Sequence, residues 1–227
     1  MTTPDAVAPE WVLPTWMQPI VDGAAAITGA DLTRFLPPHD HSGRTGAVLM
    51  LFGEGDAGPD LLLTERSHTM RSHPGQISFP GGSIDPDDDN PAAAALREAW
   101  EETGLDTRGV EVVGALPELW LPPSNFAVTP VLGYWRERTP VSVVDPGEVE
   151  TVLQVPLDEL LDPAHRVTVR HPIGYQSPGF MVGPSKDLIL WGFTAGIINK
   201  LFDFIGWTRD WDPEVVVELP DYMLRQG

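Results

Sequence analysis

The stretch "GGSIDPDDDNPAAAALREAWEETG" (Gly81–Gly104) constrains the fold more than any other. Asn90 suits an N-cap and Pro91 suits the first turn of a helix. A helix is therefore expected over Ala92–Thr103, with Gly104 placed to end it. Within it, Glu98, Glu101 and Glu102 are three and four residues apart or adjacent, so all three project from nearly one face. Leu96, Ala99, Trp100 and Thr103 fall mostly on other faces and are expected to pack inward. Four aspartates, Asp85, Asp87, Asp88 and Asp89, crowd the loop before the helix. Like charges at helical spacing weaken an isolated helix. Either the face is simply solvated, or a cation binds there. Hard divalent ions take such oxygen ligands, and Mg²⁺ commonly combines a few carboxylates with substrate phosphates and water. The Gly81-Gly82 turn permits close backbone approach beside them.

The rest of the composition narrows the partners. The 227 residues allow one large domain or a domain with an extension. Hydrophobic residues make up 42%, which fits a globular chain. Thirty-three acids against 14 bases give a net charge of -19. Nonspecific nucleic-acid binding needs clustered Lys and Arg, and the only lysines are Lys186 and Lys200. Any phosphate-bearing ligand must then be held by metal ions or a few local arginines. The absence of cysteine removes disulfides, thiolate catalysis and Cys-type metal sites. No apolar run reaches the roughly 20 residues of a membrane span. The N-terminus "MTTPDAVAPEW" lacks the basic start of a secretory signal, so a cytoplasmic protein is expected.

Along the chain, residues 1–22 are rich in Pro and Trp and read as a surface arm. "DGAAAITGADLTRFLPP" has short helical potential, ended by Pro37 and Pro38. Thr45–Glu54 and Leu61–Ser67 read as the two strands of a hairpin. Gln76–Phe79 is a short strand, and "VEVVGALPEL" and "FAVTPVLGYW" are longer ones. "GEVETVLQVPLDELLDP" reads as loop, strand and short helix, and "RVTVRHP" as a strand. A second long helix covers "LWGFTAGIINKLFDFIGW", with Leu190, Phe193, Ile197, Leu201 and Phe204 as its apolar stripe. Strands mixed with two long helices indicate one α/β domain.

The glutamate helix and its loop resemble the Nudix box, GX5EX7REUXEEXGU, where U is bulky and aliphatic. Arg97, Glu98, Glu101, Glu102, Gly104 and Leu105 occupy its C-terminal half, with Ala99 in the U slot. Two departures stand out: Asp, most simply Asp88, replaces the box's first Glu, and the Gly82-to-Arg97 spacing is one residue longer. The resemblance implies a Nudix fold, a mixed β-sheet sandwiched between helices (α/β/α). It would span residues 45–220, with residues 1–44 as an N-terminal extension packing on the core. It also implies that Glu98, Glu101, Glu102 and the Gly81 carbonyl bind Mg²⁺ or Mn²⁺. Arg97 would hold a glutamate carboxylate through charge-assisted hydrogen bonds. Glu101 or Glu148 would act as general base. Glu148 fits the late acid of the family better than Glu150, and ordinary loop charge is the plain alternative for both.

The preceding segment "LLTERSHTMRSHPGQISFPGGSID" (Leu62–Asp85) is similar to the coenzyme A diphosphatase signature LLTxRSxxxRxHxGQVxFPGGxxD, with Ile77 for Val. That subgroup also carries the extra residue. Later segments, "LPPSNFAVTPVLGYW", "GEVETVLQVPL" and "LILWGFTAGII", extend the similarity to about residue 200. The resemblance implies hydrolysis of the diphosphate of coenzyme A, with other nucleoside diphosphate derivatives as the alternative substrates and a non-catalytic nucleotide binder as a further one. Arg66 and Arg71 would contact phosphates, since guanidinium forks match phosphate oxygens. His73 would bind phosphate or position the loop. Gln76 and Ser78 flank the expected cleft, in a binding or a structural role. Ser124, Asn125 and Phe126 form a nearby loop. Trp120 and Trp191 read as core residues or as stacking partners for adenine. The N-terminal arm and the segment "WDPEVVVELPDYMLRQG" are candidates to cover the core or to build a homodimer interface.

Overall fold

A computed structural model of the chain describes residues 12–33, 43–121, 125–172 and 174–224. Two helices, α1 (Gln18–Ala26) and α2 (Gly29–Leu32), precede the hairpin of β1 (Arg44–Gly55) and β2 (Gly58–Arg66). Short strands β3 (Ile77–Ser78) and β4 (Gly81–Ser83) lead into helix α3 (Pro91–Thr103). There follow β5 (Val110–Ala115), β6 (Leu119–Leu121), β7 (Phe126–Trp135), β8 (Val149–Pro156) and α4 (Leu157–Leu161). The chain continues through β9 (Arg166–Arg170), β10 (Gln176–Val182), β11 (Leu188–Leu190), α5 (Gly192–Phe204) and β12 (Val216–Glu218). The stretch read as one strand before β7 breaks around Pro117, which has no N–H for a ladder.

The main sheet runs β3-β2-β1-β7-β5, with β8 on β2, β4 on β1 and β6 on β7. It is mixed, because β1 and β7 are parallel while β1 and β2 form an antiparallel hairpin. Period-2 alternation explains why the sheet is buried on both faces. Ala47, Leu49 and Leu51 point to one side, where they pack with Leu62, Val131, Ala94, Ala95 and Ala99 beneath α3. Met50 and Phe52 point to the other, joining Leu61, Leu63, Leu132, Ile20, Ile198 and Leu201 from the α1–α5 side. The strands are thus near-continuous apolar runs with helices on both faces, the expected α/β/α sandwich.

Three expectations need correction. The N-terminal segment is no surface arm over its described part, since Met17 and Ile20 are fully buried in the main core. Pro37 and Pro38 lie outside the described residues. The apolar stripe of α5 is displaced: Leu190 belongs to β11, Phe204 is exposed, and Ala195, Ile198 and Phe202 share the buried face with Ile197 and Leu201. A second sheet of four strands, β11-β10-β9-β12, also stands where only β9 was expected. Its β10 carries Pro178 and Gly179, and β12 is three residues long, so neither shows the usual strand pattern.

Candidate active site

Helix α3 starts as its sequence dictates. The Asn90 side chain accepts a hydrogen bond from the Ala93 N–H at 3.0 Å, and Gly104, with φ 69°, closes the last turn. The helix lies on β1 and β4, so its glutamates meet the Gly-Gly turn. A side chain at Gly82 would put its Cβ 2.4 Å from Glu98 Oε1 and push that carboxylate out of its present place. The Gly81 N–H donates to Glu102 Oε2 at 3.3 Å.

Arg97 binds the loop and the helix together. Its Nε and Nη2 donate to both oxygens of Asp88 at 3.1 and 2.9 Å, its Nη1 to Glu98 and Glu101 at 3.0 Å each, and its Nη2 to the Ser83 carbonyl at 3.0 Å. Such a bidentate, charge-assisted clasp fixes orientation as well as charge. The Arg97 bonds hold the Asp88 carboxyl below the usual carboxylate range. Asp88 also accepts from the Asp85 N–H at 2.8 Å, so the loop closes on the residue that stands where the Nudix box has Glu.

The glutamates differ sharply in environment. Glu102 is buried, and burial followed by the Glu98 charge pushes its pKa up to about 8, against the pull of the Gly81 N–H and Arg66. Burial also raises Glu98, helped by the charges of Glu101 and Glu148 and opposed by Arg97. Glu101 is exposed. Glu148, on the loop before β8, is near enough for its charge to act on both Glu98 and Glu102. Its carbonyl accepts from the Ser67 N–H at 2.8 Å, which joins this acid to the loop that leaves β2. Among the described residues, no three acids or histidines converge as a ready cation cage. The donor set nevertheless fits a hard divalent ion: the oxygens are carboxylates, the two inner ones repel each other, and a glycine keeps side chains out of the space beside Glu98.

The loop that leaves β2 carries the candidate basic groups. The Arg66 N–H donates to the Gln76 carbonyl and the Gly75 N–H to the Arg66 carbonyl, both at 3.0 Å, closing the loop's neck. Arg66 Nη2 donates to Met70 Sδ at 3.1 Å, while its Nε is buried without a partner among the described residues. Arg71 and His73 are exposed at the tip. His73 has φ 56°, and partial desolvation followed by the Arg66 charge lowers its pKa. Gln76 is half-buried, and a Cβ at Gly192 would lie 3.4 Å from its Nε2.

Other sequence expectations fare differently. Trp100 does not pack inward: it is 58% exposed, because α3 turns Ala94, Ala95, Ala99, Glu102 and Thr103 toward the sheet. Trp120 and Trp191 are half-buried; Trp120 Nε1 donates to Asn125 Oδ1 at 3.2 Å, and Trp191 packs on His171. Ser124 lies outside the described residues. Glu150 is exposed on β8. Sequence reasoning passed over Glu65, His68 and Tyr222, whose side chains meet behind the loop. Nothing in their local pattern signals that meeting.

Comparison with known proteins agrees with this geometry. The NUDIX domain family matches residues 43–173, more than half of the chain. The uncharacterized Nudix hydrolase NudL of Enterobacter sp. (strain 638) is 40% identical over 152 residues, 65% of this chain and 76% of that protein. Nudix hydrolase 15, mitochondrial, of Arabidopsis thaliana is 37% identical over 177 residues, 75% of this chain and 59% of that protein. A MutT/nudix family protein from Enterococcus faecalis shares the fold alone, with a TM-score of 0.50 at 16% identity over 90% of this chain and 79% of that one. The chain belongs to the Nudix hydrolase family. It is a hydrolase of phosphoric anhydrides, with nucleoside diphosphate derivatives as its substrate class.

Proposed function

We propose that the chain hydrolyses the diphosphate bond of coenzyme A, giving 3′,5′-ADP and 4′-phosphopantetheine or its acyl derivative. The observation that carries this reading is the folded form of Leu62–Asp85. Its loop carries Arg71 and His73, and the charge of Arg66 at its neck acts on both the buried Glu102 and His73. A substrate with a diphosphate bridge and a 3′-phosphate offers partners for several cationic groups at once.

Glu98, Glu101 and Glu102, with the Gly81 carbonyl, would hold Mg²⁺ or Mn²⁺. When bound, such an ion neutralises the diphosphate and lowers the pKa of the attacking water. Arg97 keeps Glu98 and Glu101 oriented, which is the part that outer residues play at metal sites. Glu101 or Glu148 accepts the water's proton; both are exposed carboxylates beside the inner pair. Arg66, whose charge reaches Glu102, meets charge that develops at the scissile diphosphate, and Arg71 binds an anionic group of the substrate away from that bond. His73, held toward its neutral form, serves as hydrogen-bond donor or acceptor at the same loop. Incubation of coenzyme A with the purified chain and Mn²⁺ tests this directly. Mass spectrometry should find 3′,5′-ADP and 4′-phosphopantetheine, and excess chelator should abolish both. Full activity in chelator would sink the mechanism.

A further inference from the structure

The NUDIX domain family match ends at residue 173, yet the loop bearing Arg71 and His73 is packed from well beyond it. After β12 the chain crosses the outer face of the small sheet. There Leu219 and Met223 are buried with Val167, Val169 and Ile189, and Tyr222 packs alongside. The Tyr222 ring reaches over to His68, at 5.0 Å between centroids. It also seats against Gly75, where a Cβ would lie 2.6 Å from Tyr222 Cε2 and 3.0 Å from His68 Cε1. Glycine at 75 thus suits a φ of 66° and lets the two rings close onto the backbone, where any Cβ would push them away. His68 is anchored in turn, its Nε2 2.9 Å from Oε1 of the buried Glu65 on β2.

The loop's own bonds are few. They comprise its neck, the Arg66 Nη2 bond to Met70 Sδ, a turn from the Met70 N–H to the Ser67 carbonyl at 3.1 Å, the Gln76 N–H to the His73 carbonyl at 3.3 Å, and bonds of the Ser67 hydroxyl to the Thr69 hydroxyl at 2.9 Å and N–H at 3.4 Å. Two of its backbone positions, His73 and Gly75, sit in the left-handed region. Glycine takes that conformation freely, but at His73 it persists only when surrounding structure imposes it. From outside, the Ser67 N–H bond to the Glu148 carbonyl fixes the start of the loop, and the Tyr222–His68 pair packs against its other limb at Gly75.

We propose that Tyr222 is a positioning residue of the active site. Its ring, seated on Gly75 and His68, holds the loop in the conformation that presents Arg71 and His73 to the anionic groups of the substrate. This rests on the reading of that loop as the phosphate-binding half of the site. Because the loop grips substrate away from the scissile bond, loss of the ring should fall on KM more than on kcat.

The test compares the full chain with Tyr222→Ala, Tyr222→Phe and His68→Ala, each with Mn²⁺. The substrate is whichever of coenzyme A, its dephospho form, ADP-ribose or NADH the unmodified chain turns over fastest. Tyr222→Ala should raise KM about tenfold, with kcat changed by roughly threefold or less, and Tyr222→Phe should restore KM to within about twofold. Hydrogen exchange supplies a readout independent of turnover: amides of residues 67–75 should exchange faster in Tyr222→Ala, while those of α3 keep their protection. If Tyr222→Ala does not fold, His68→Ala removes the other half of the contact and should give the same KM rise and the same faster exchange. Unchanged exchange at residues 67–75, or a fall in kcat at constant KM, overturns the proposal. Preference of the unmodified chain for a substrate other than coenzyme A would overturn only the substrate reading, since the loop's behaviour is read separately.

Discussion

Helix α3 carries the acids and the Ser67–Gly75 loop the basic groups of the proposed site, and they are built in opposite ways. In α3 the acids fall on one face because 3.6 residues make a turn, and one arginine of the same helix holds two of them. In the loop the basic groups have no periodic scaffold. Their placement depends on the neck at Arg66 and Gln76 and on Tyr222, nearly 150 residues further along the chain. The helix concentrates like charges, at a cost to stability. The loop leaves its cations exposed, at a cost in conformational freedom. A locally encoded half should tolerate distant changes and fail on near ones, whereas the other half should fail on distant changes as well as near ones.

The sharpest break is at Glu102. Glu102→Gln should lower kcat on the order of 10³-fold while leaving the fold intact, as checked by steady-state kinetics and circular dichroism. The same change should raise the melting temperature of the metal-free chain at pH 8 by a few degrees. The sign follows from the carboxyl, whose pKa is about 8 in the folded chain and near 4.5 when unfolded. The folded state therefore binds the proton more tightly, and stability falls as pH rises from about 4.5 through 8. A neutral amide escapes that loss. Unchanged turnover would remove Glu102 from the site.

Arg97→Ala should come next, with kcat down about 10²-fold, because Glu98, Glu101 and Asp88 lose their common partner. Retained activity would mean that the clasp orients nothing the reaction needs. In the loop, Arg71→Ala should raise KM for coenzyme A about tenfold with a smaller change in kcat, since the residue is exposed and belongs to no element of the catalytic helix. Equal effects on kcat and KM would place Arg71 in the chemistry itself. Trp100→Ser should do least. Its ring is 58% exposed, so melting temperature and turnover should both stay near those of the unmodified chain. A large loss of activity would show that the exposed face of α3 takes part after all.

The same contrast explains what could be read from the sequence. The hairpin, the cap at Asn90, the helix end at Gly104 and the α/β class follow from local propensity and period, while the α/β/α layering is what the Nudix resemblance implies. The Arg97 clasp on Asp88 is visible only as a one-residue irregularity in a known spacing. Trp100 was misplaced because the inward face of α3 is set by small alanines packing close to the sheet, and an aromatic at the edge of that face draws the eye. The small sheet escaped notice because Pro178, Gly179 and a three-residue β12 carry little strand signal. Tyr222 could not be found at all. Its role exists only through contact with Gly75 and His68, and no periodicity links residues so far apart.

The central claim is that this Nudix hydrolase acts on coenzyme A. It is tested most directly by side-by-side kcat/KM values, with Mn²⁺, for coenzyme A, dephospho-coenzyme A, ADP-ribose and NADH. The account predicts the highest value for coenzyme A and a lower one, by about tenfold, for the form that lacks the 3′-phosphate. A higher value for ADP-ribose or NADH than for coenzyme A would contradict it.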